Sequence, residues 1–102
     1  MDLQLNPQKF EERQAILAYE LTKTIQVKLA EAGLESDKVK ELTAALAFSV
    51  TSMIDGISGI ESGGMEVQPY LTFQIEDELV HCGENSFMHE LIYDVLGRLI
   101  GD

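Results

Sequence analysis

Residues 36–57 read SDKVKELTAALAFSVTSMIDGI, and the way this stretch is buried decides the fold. Residues 42–54 within it carry no charge, in a chain that is 25% charged overall. Val39, Leu42, Leu46, Val50, Met53 and Ile57 fall three or four positions apart, which stacks them into one stripe of a helix. Ala44, Ala45, Ala47, Phe48 and Ile54 spread apolar surface beyond that stripe, and a helix apolar on most sides is expected to be buried on most sides. At about 1.5 Å per residue the helix would be about 33 Å long. Ser49, Ser52, Gly56 and the alanines leave a small-residue side where another helix can approach, from this chain or from a second copy.

Upstream, residues 1–5 read as a short extended lead-in. Asn6-Pro7 marks the start of a first helix, Asn6 as the cap and Pro7 at the first position, where a missing N–H costs nothing. Phe10, Leu17, Leu21 and Ile25 form its expected core stripe, with Ala18 and Thr24 beside it. Ile16 and Val27 share a different side and hint at a second buried face. Gly33 closes the helix in a left-handed conformation. The link Leu34-Glu35 is so short that the two helices should lie antiparallel, with Ser36 capping the second and Asp37 in its first turn. Together they make a two-helix hairpin over residues 7–57.

Downstream, residues 56–64 read as a glycine-rich linker. A phosphate cradle is the functional alternative, but such loops open a helix after a strand and supply a Lys, whereas this one follows a helix and supplies Glu61. Val67, Leu71, Phe73 and Ile75 alternate with Gln68, Tyr70, Thr72 and Gln74, the pattern of a half-buried strand, with Pro69 placing its beginning at a sheet edge. Residues 79–82 return as a second strand, so residues 66–82 form a β-hairpin with Glu76-Asp77-Glu78 at its tip. A two-residue turn would put Val80 and Cys82 in the core with His81 outside, and a three-residue loop would bury Leu79 and His81. The first register is favoured because it leaves an imidazole in water. Ser86 is expected to cap a last helix over residues 86–100, whose buried stripe is Met88, Leu91, Ile92, Val95, Leu96 and Leu99. Glu90, Asp94 and Gly97 line the opposite side, with Asp94 and Arg98 spaced for an i,i+4 pair.

The resulting expectation is an α+β protein of order α-α-β-β-α, one domain over residues 1–102. A two-stranded hairpin is not stable alone and must pack on the helices or gain strands from a second chain. A central helix with more apolar surface than its neighbours can cover makes the same demand. A homodimer is therefore expected.

Charge is the outlying property, with a formal net value of −11. Residues 1–40 are nearly neutral, with six basic and seven acidic side chains, whereas residues 41–97 hold ten acidic side chains and no Lys or Arg. Such a balance argues against direct nucleic-acid binding and against an anionic membrane surface, both of which need basic groups. It serves solubility first, and a basic protein partner is the sharper alternative. The single Cys82 cannot form an internal disulfide, the first residues lack the pattern of a signal peptide, and no apolar run is long enough to span a bilayer. A cytoplasmic protein is expected.

Reactive side chains cluster only as His81-Cys82 and His89-Glu90. His81, Cys82 and His89 are weak candidates for a metal or a reactive thiol, because neighbours on a strand point apart and neighbours on a helix diverge by about 100°. Glu76, Asp77 and Glu78 diverge too far for a calcium site and read as a solvated turn. With Glu90 and Asp94, one helical turn apart, they are the candidate partner contacts. No cofactor motif is present and no cofactor is expected. The balance is against an enzyme. The favoured function is a non-catalytic, self-associating interaction or regulatory module; the alternatives are an inhibitor or DNA mimic of the immunity type that covers a basic surface, and a small enzyme built around His81, Cys82, His89 and Glu90 or a pocket between subunits.

Overall fold

A computed structural model describes residues 1–100; the last two residues of the expected domain, 101–102, lie outside it. The chain is mixed α+β. It runs β1 (Asp2–Leu5), α1 (Pro7–Glu31), α2 (Ser36–Ile54), β2 (Ile60–Ser62), β3 (Met65–Val67), β4 (Phe73–Ile75), β5 (Glu78–His81), a 3₁₀ turn (Met88–Leu91) and α3 (Ile92–Ile100). The strands form two small sheets, one ordered β1-β5-β4 and one a β2-β3 ribbon.

The start of α1 follows its residues. Asn6 Oδ1 accepts from the Lys9 amide at 3.1 Å, with Pro7 in the first turn. The helix ends at Glu31, with Gly33 at φ 88. The cap of α2 is a correction: Glu35 occupies that position without a side-chain bond, and Ser36 is already helical. Gln14 near the start of α1 and Asp55 at the end of α2 both bond residues 86–89, so the helices run antiparallel.

What these helices bury is the main departure from expectation. In α1 the buried row is Phe10, Gln14, Ala18 and Thr22; in α2 it is Val39, Thr43, Ala47 and Thr51, with Ser52 beside it. Each row advances by four residues, and the helices pack on each other more extensively than any other pair of elements. Small side chains permit that approach. Thr22 and Thr51 donate their hydroxyls to the carbonyls of Ala18 and Ala47, both at 2.8 Å, so only their methyl groups are left to pack. Of the expected stripes Phe10 and Val39 are buried, but Leu17, Leu21 and Ile25 are half-buried, and Ile16 and Val27 are exposed rather than forming a second buried face. On α2 the displacement leaves Leu46, Val50 and Met53 partly in solvent, with Ile57 just past the helix end exposed as well.

The strands differ from the single hairpin expected over residues 66–82. Residues 1–5 do more than lead in: β1 pairs in parallel with β5, Leu3 opposite Leu79 and Leu5 opposite His81. Inside the expected linker, Gly63 and Gly64 both take positive φ, 58° and 81°, the requirement of a two-residue hairpin turn, and β2 pairs antiparallel with β3. Pro69, which has no N–H to give a ladder, lies in the loop that separates β3 from β4. The alternating run is therefore cut in two, and Val67 faces solvent. β4 and β5 join through Glu76-Asp77, with Ile75 opposite Glu78 and Phe73 opposite Val80. Glu78 is thus a strand residue, not part of the tip. Val80 is buried as the two-residue turn requires, but Cys82 is only partly so.

α2 stops at Ile54 rather than Ile57 because Gly56 turns the chain at φ 79, where the amides of Asn85 and Gln68 would lie 3.0 Å from any added Cβ. The last helix begins as the 3₁₀ turn, and α3 proper starts only at Ile92. Met88, Ile92 and Val95 are buried as expected, and Met88 and Val95 pack with Ala18 against Leu17, Leu71, Leu91 and Leu99. Phe10 packs against Phe73 with the rings tilted at 54° and 5.1 Å between centroids, which ties α1 to the sheet. Arg98 lies over the ring of Tyr19 at 5.0 Å, and no ion pair with Asp94 forms among the described residues. Among the described residues, no helix is long and apolar enough to cross a membrane.

Candidate functional site

Two features stand out, a buried polar latch and an exposed apolar face. The latch is centred on Asp55, wholly buried where α2 ends. One carboxylate oxygen accepts from Ser86 Oγ at 2.5 Å; the other accepts from the His89 amide at 2.7 Å and from His89 Nδ1 at 2.5 Å. A carboxylate only accepts, so the Nδ1 of His89 carries the proton. Ser86, expected to cap its own helix, spends its hydroxyl on Asp55. Asp55 thus supplies from α2 the acceptor that the first turn of the C-terminal helical segment needs. Close by, Gln14 Oε1 accepts from the Phe87 amide at 2.6 Å. Two side chains, Asp55 at the end of α2 and Gln14 on α1, bind residues 86–89 to both long helices.

The Asp55–His89 pair has the orientation of a dyad that readies an imidazole for proton transfer. Proton transfer also needs a nucleophile or substrate beside Nε2. The His89 ring packs edge-to-face with Phe48, 6.0 Å between centroids, so the pair also joins residues 86–89 to α2. Sequence reasoning passed over Asp55 because one acidic residue at a helix end beside glycines looks like a solvated charge.

His81, Cys82 and His89 are held apart by separate partners. His81 Nδ1 accepts from the Gly83 amide at 3.2 Å and from the Tyr70 hydroxyl at 2.8 Å, which puts the ring proton on Nε2. Cys82 Sγ donates to the Glu84 carbonyl at 3.1 Å. Among the described residues, no three His, Cys, Asp or Glu come together to hold a metal ion. The acidic partner candidates are all exposed: Glu76 and Asp77 on the turn, Glu78 on β5, Glu90 in the 3₁₀ turn and Asp94 in the first turn of α3. Like charges meet across strands at Glu61 and Glu66 and at Asp2 and Glu78.

The apolar face runs down the outside of α2. Leu46 is 42% exposed, Val50 37% and Met53 48%, whereas Thr43, Ala47 and Thr51 on the inner side are fully buried. Below Met53 the face opens into a groove of about 390 Å³ lined by Met53, Ile54, Ile60, Pro69, Tyr70 and Leu71, and it continues onto Val67, which pairs with Ile60. The whole molecule carries surplus surface to match. Its accessible area of 6625 Å² is about 900 Å² more than the roughly 5,700 Å² of a folded monomer of 11.3 kDa. Its radius of gyration of 15.3 Å likewise exceeds the roughly 13 Å of a compact chain this long.

No family model, no curated protein and no solved structure matches this chain.

Proposed function

We propose that this chain is a non-catalytic interaction module that works as a homodimer, joined through the outer face of α2 and the adjoining groove. The observation that carries the reading is the inversion of α2, with its leucine, valine and methionine stripe outside and its threonine and alanine row inside. Burying the stripe between two copies removes from water the surface that a single chain leaves exposed. The surplus of about 900 Å² approximates the roughly 800 Å² that each partner gives to a standard interface. The face is uncharged over residues 42–54, so two chains of net charge −11 can meet there with their carboxylates directed elsewhere. A cytoplasmic setting goes with this reading, since Cys82 is a free thiol. Sedimentation at increasing protein concentration tests it. A dimer at micromolar concentration is expected, and a monomer throughout that range overturns it.

A second reading is an inhibitor that covers a basic protein surface, and the cross-strand pairs Glu61–Glu66 and Asp2–Glu78 favour it. Like charges held directly opposite are destabilising unless a cation lies over them. Association with a basic protein that weakens steeply as salt rises supports this reading, and binding indifferent to salt excludes it.

A further inference from the structure

We propose that the two copies pair antiparallel through α2, with the two-fold axis beside Ser49, so that Leu46 of each copy enters the groove of the other. The proposal rests on the self-association argued above and adds its orientation, its register and what fills the groove.

Register follows from symmetry. A two-fold contact is self-complementary, and in an antiparallel pair it lays the apolar run on its own reverse. The exposed apolar side chains of α2 run from Leu46 to Met53, and their midpoint falls between Ser49 and Val50. Centred there, Leu46 lies opposite Met53 of the partner subunit, at the mouth of the groove between Met53, Ile60 and Tyr70. Ser49 is exposed on the same side, and its small side chain lets the helices approach where they cross.

Orientation follows from charge. β2 and β3 lie just beyond the C-terminal end of α2 and carry Glu61 opposite Glu66. A parallel pair would bring these two carboxylates against the same two of the other copy, a repulsive contact. An antiparallel pair sends the ribbons to opposite ends. Each then meets the N-terminal turn of the partner helix, where the helix dipole is positive and Lys38, paired with Glu41 at 3.6 Å, lies at the border of the apolar stripe among both signs of charge rather than against the same carboxylates.

The test is disulfide trapping in the full chain carrying Cys82→Ala. A tagged Leu46→Cys copy is mixed with an untagged Met53→Cys copy and oxidised, while sedimentation of the Cys82→Ala chain alone reports whether it dimerises. A disulfide requires Cα atoms about 4.4–6.8 Å apart. The antiparallel register predicts a mixed disulfide at least tenfold more abundant than either like-with-like product. A dominant Leu46→Cys self-product with intact dimerisation overturns the orientation and leaves self-association standing. So does a dimer that traps no disulfide at all. A Cys82→Ala chain that stays monomeric while the unmodified chain dimerises removes Cys82 from a merely bystander position and overturns this arrangement; if both are monomeric, the function proposed above fails first.

Discussion

Asp55 and His89 are bonded twice, through the ring Nδ1 at 2.5 Å and through the backbone amide at 2.7 Å, although 34 positions separate them in the chain. The carboxylate is fully buried, and its three donors come from one short segment. A charge that deep is held in place by its bonds. Once it is removed, its donors are left without water to replace it.

Asp55→Ala is therefore expected to destabilise the chain by about 3 kcal/mol. Ser86→Ala, which removes one donor and leaves the carboxylate two others, should cost about 1 kcal/mol. Urea unfolding followed by circular dichroism gives both values. If Asp55→Ala costs less than Ser86→Ala, the carboxylate is not the centre of the latch.

Buried hydroxyls give a contrast within one interface. Thr43 Oγ1 and Ser52 Oγ have no hydrogen-bond partner, whereas Thr22 and Thr51 bond their own i−4 carbonyls. Replacing an unpartnered hydroxyl by a group of similar shape removes a desolvation cost of about 1 kcal/mol or more. Thr43→Val should raise stability by about 1 kcal/mol, while Thr51→Val should change it little or lower it. Equal effects at both positions would count against the assignment.

The contrast also marks where the sequence was legible. Capping chemistry stood out because it is local: Asn6, Pro7 and Gly33 each act within a turn of their own position. The stripe of α3 was legible because Met88, Ile92 and Val95 are both apolar and buried. α2 misled because hydrophobicity was taken to mark the inside. Thr51 reads as polar, yet a back-bonded threonine packs like a valine, and small rows let helices come closer than leucines would. The stripe was real, and what it faced could not be read from one chain's periodicity. The pairing of β1 and the ribbon of β2 and β3 were illegible for another reason. Four exposed residues and two runs of three are too short to show alternation, and only their pairing defines them. Asp55 was illegible because its three donors lie more than 30 positions away.

Glu76 is the only described non-glycine residue with positive φ, at 55° in the turn between β4 and β5. That conformation costs a residue with a side chain about 1–2 kcal/mol, and glycine avoids it at a smaller entropic cost of about 0.5–1 kcal/mol. Glu76→Gly should therefore raise stability by about 0.5–1 kcal/mol, seen as an increase of a few degrees in Tm. A decrease would show that the Glu76 side chain stabilises the turn by some contact of its own. Because Glu76 was a candidate partner contact, the same variant also reports on binding: a basic partner that reads the turn should lose affinity although the fold has gained stability.

The exposed face of α2 separates stability from assembly. Leu46 and Met53 are about half exposed in the single chain, so Leu46→Glu or Met53→Glu should cost the isolated fold less than about 1 kcal/mol. Within a dimer the same change would bury a carboxylate in an apolar contact, at a cost of several kcal/mol. The two effects are distinguished by concentration. A dimer that unfolds to separated chains gains about 1.4 kcal/mol of apparent stability, per mole of dimer, for each tenfold increase in protein, and a monomer gains none. The unmodified chain should show a urea midpoint that rises with concentration, and Leu46→Glu a midpoint that does not move. Thr24→Glu, on the exposed side of α1, controls for added charge. Should Leu46→Glu retain the concentration dependence, α2 is not the joining surface and its exposed stripe is met by something other than a second copy.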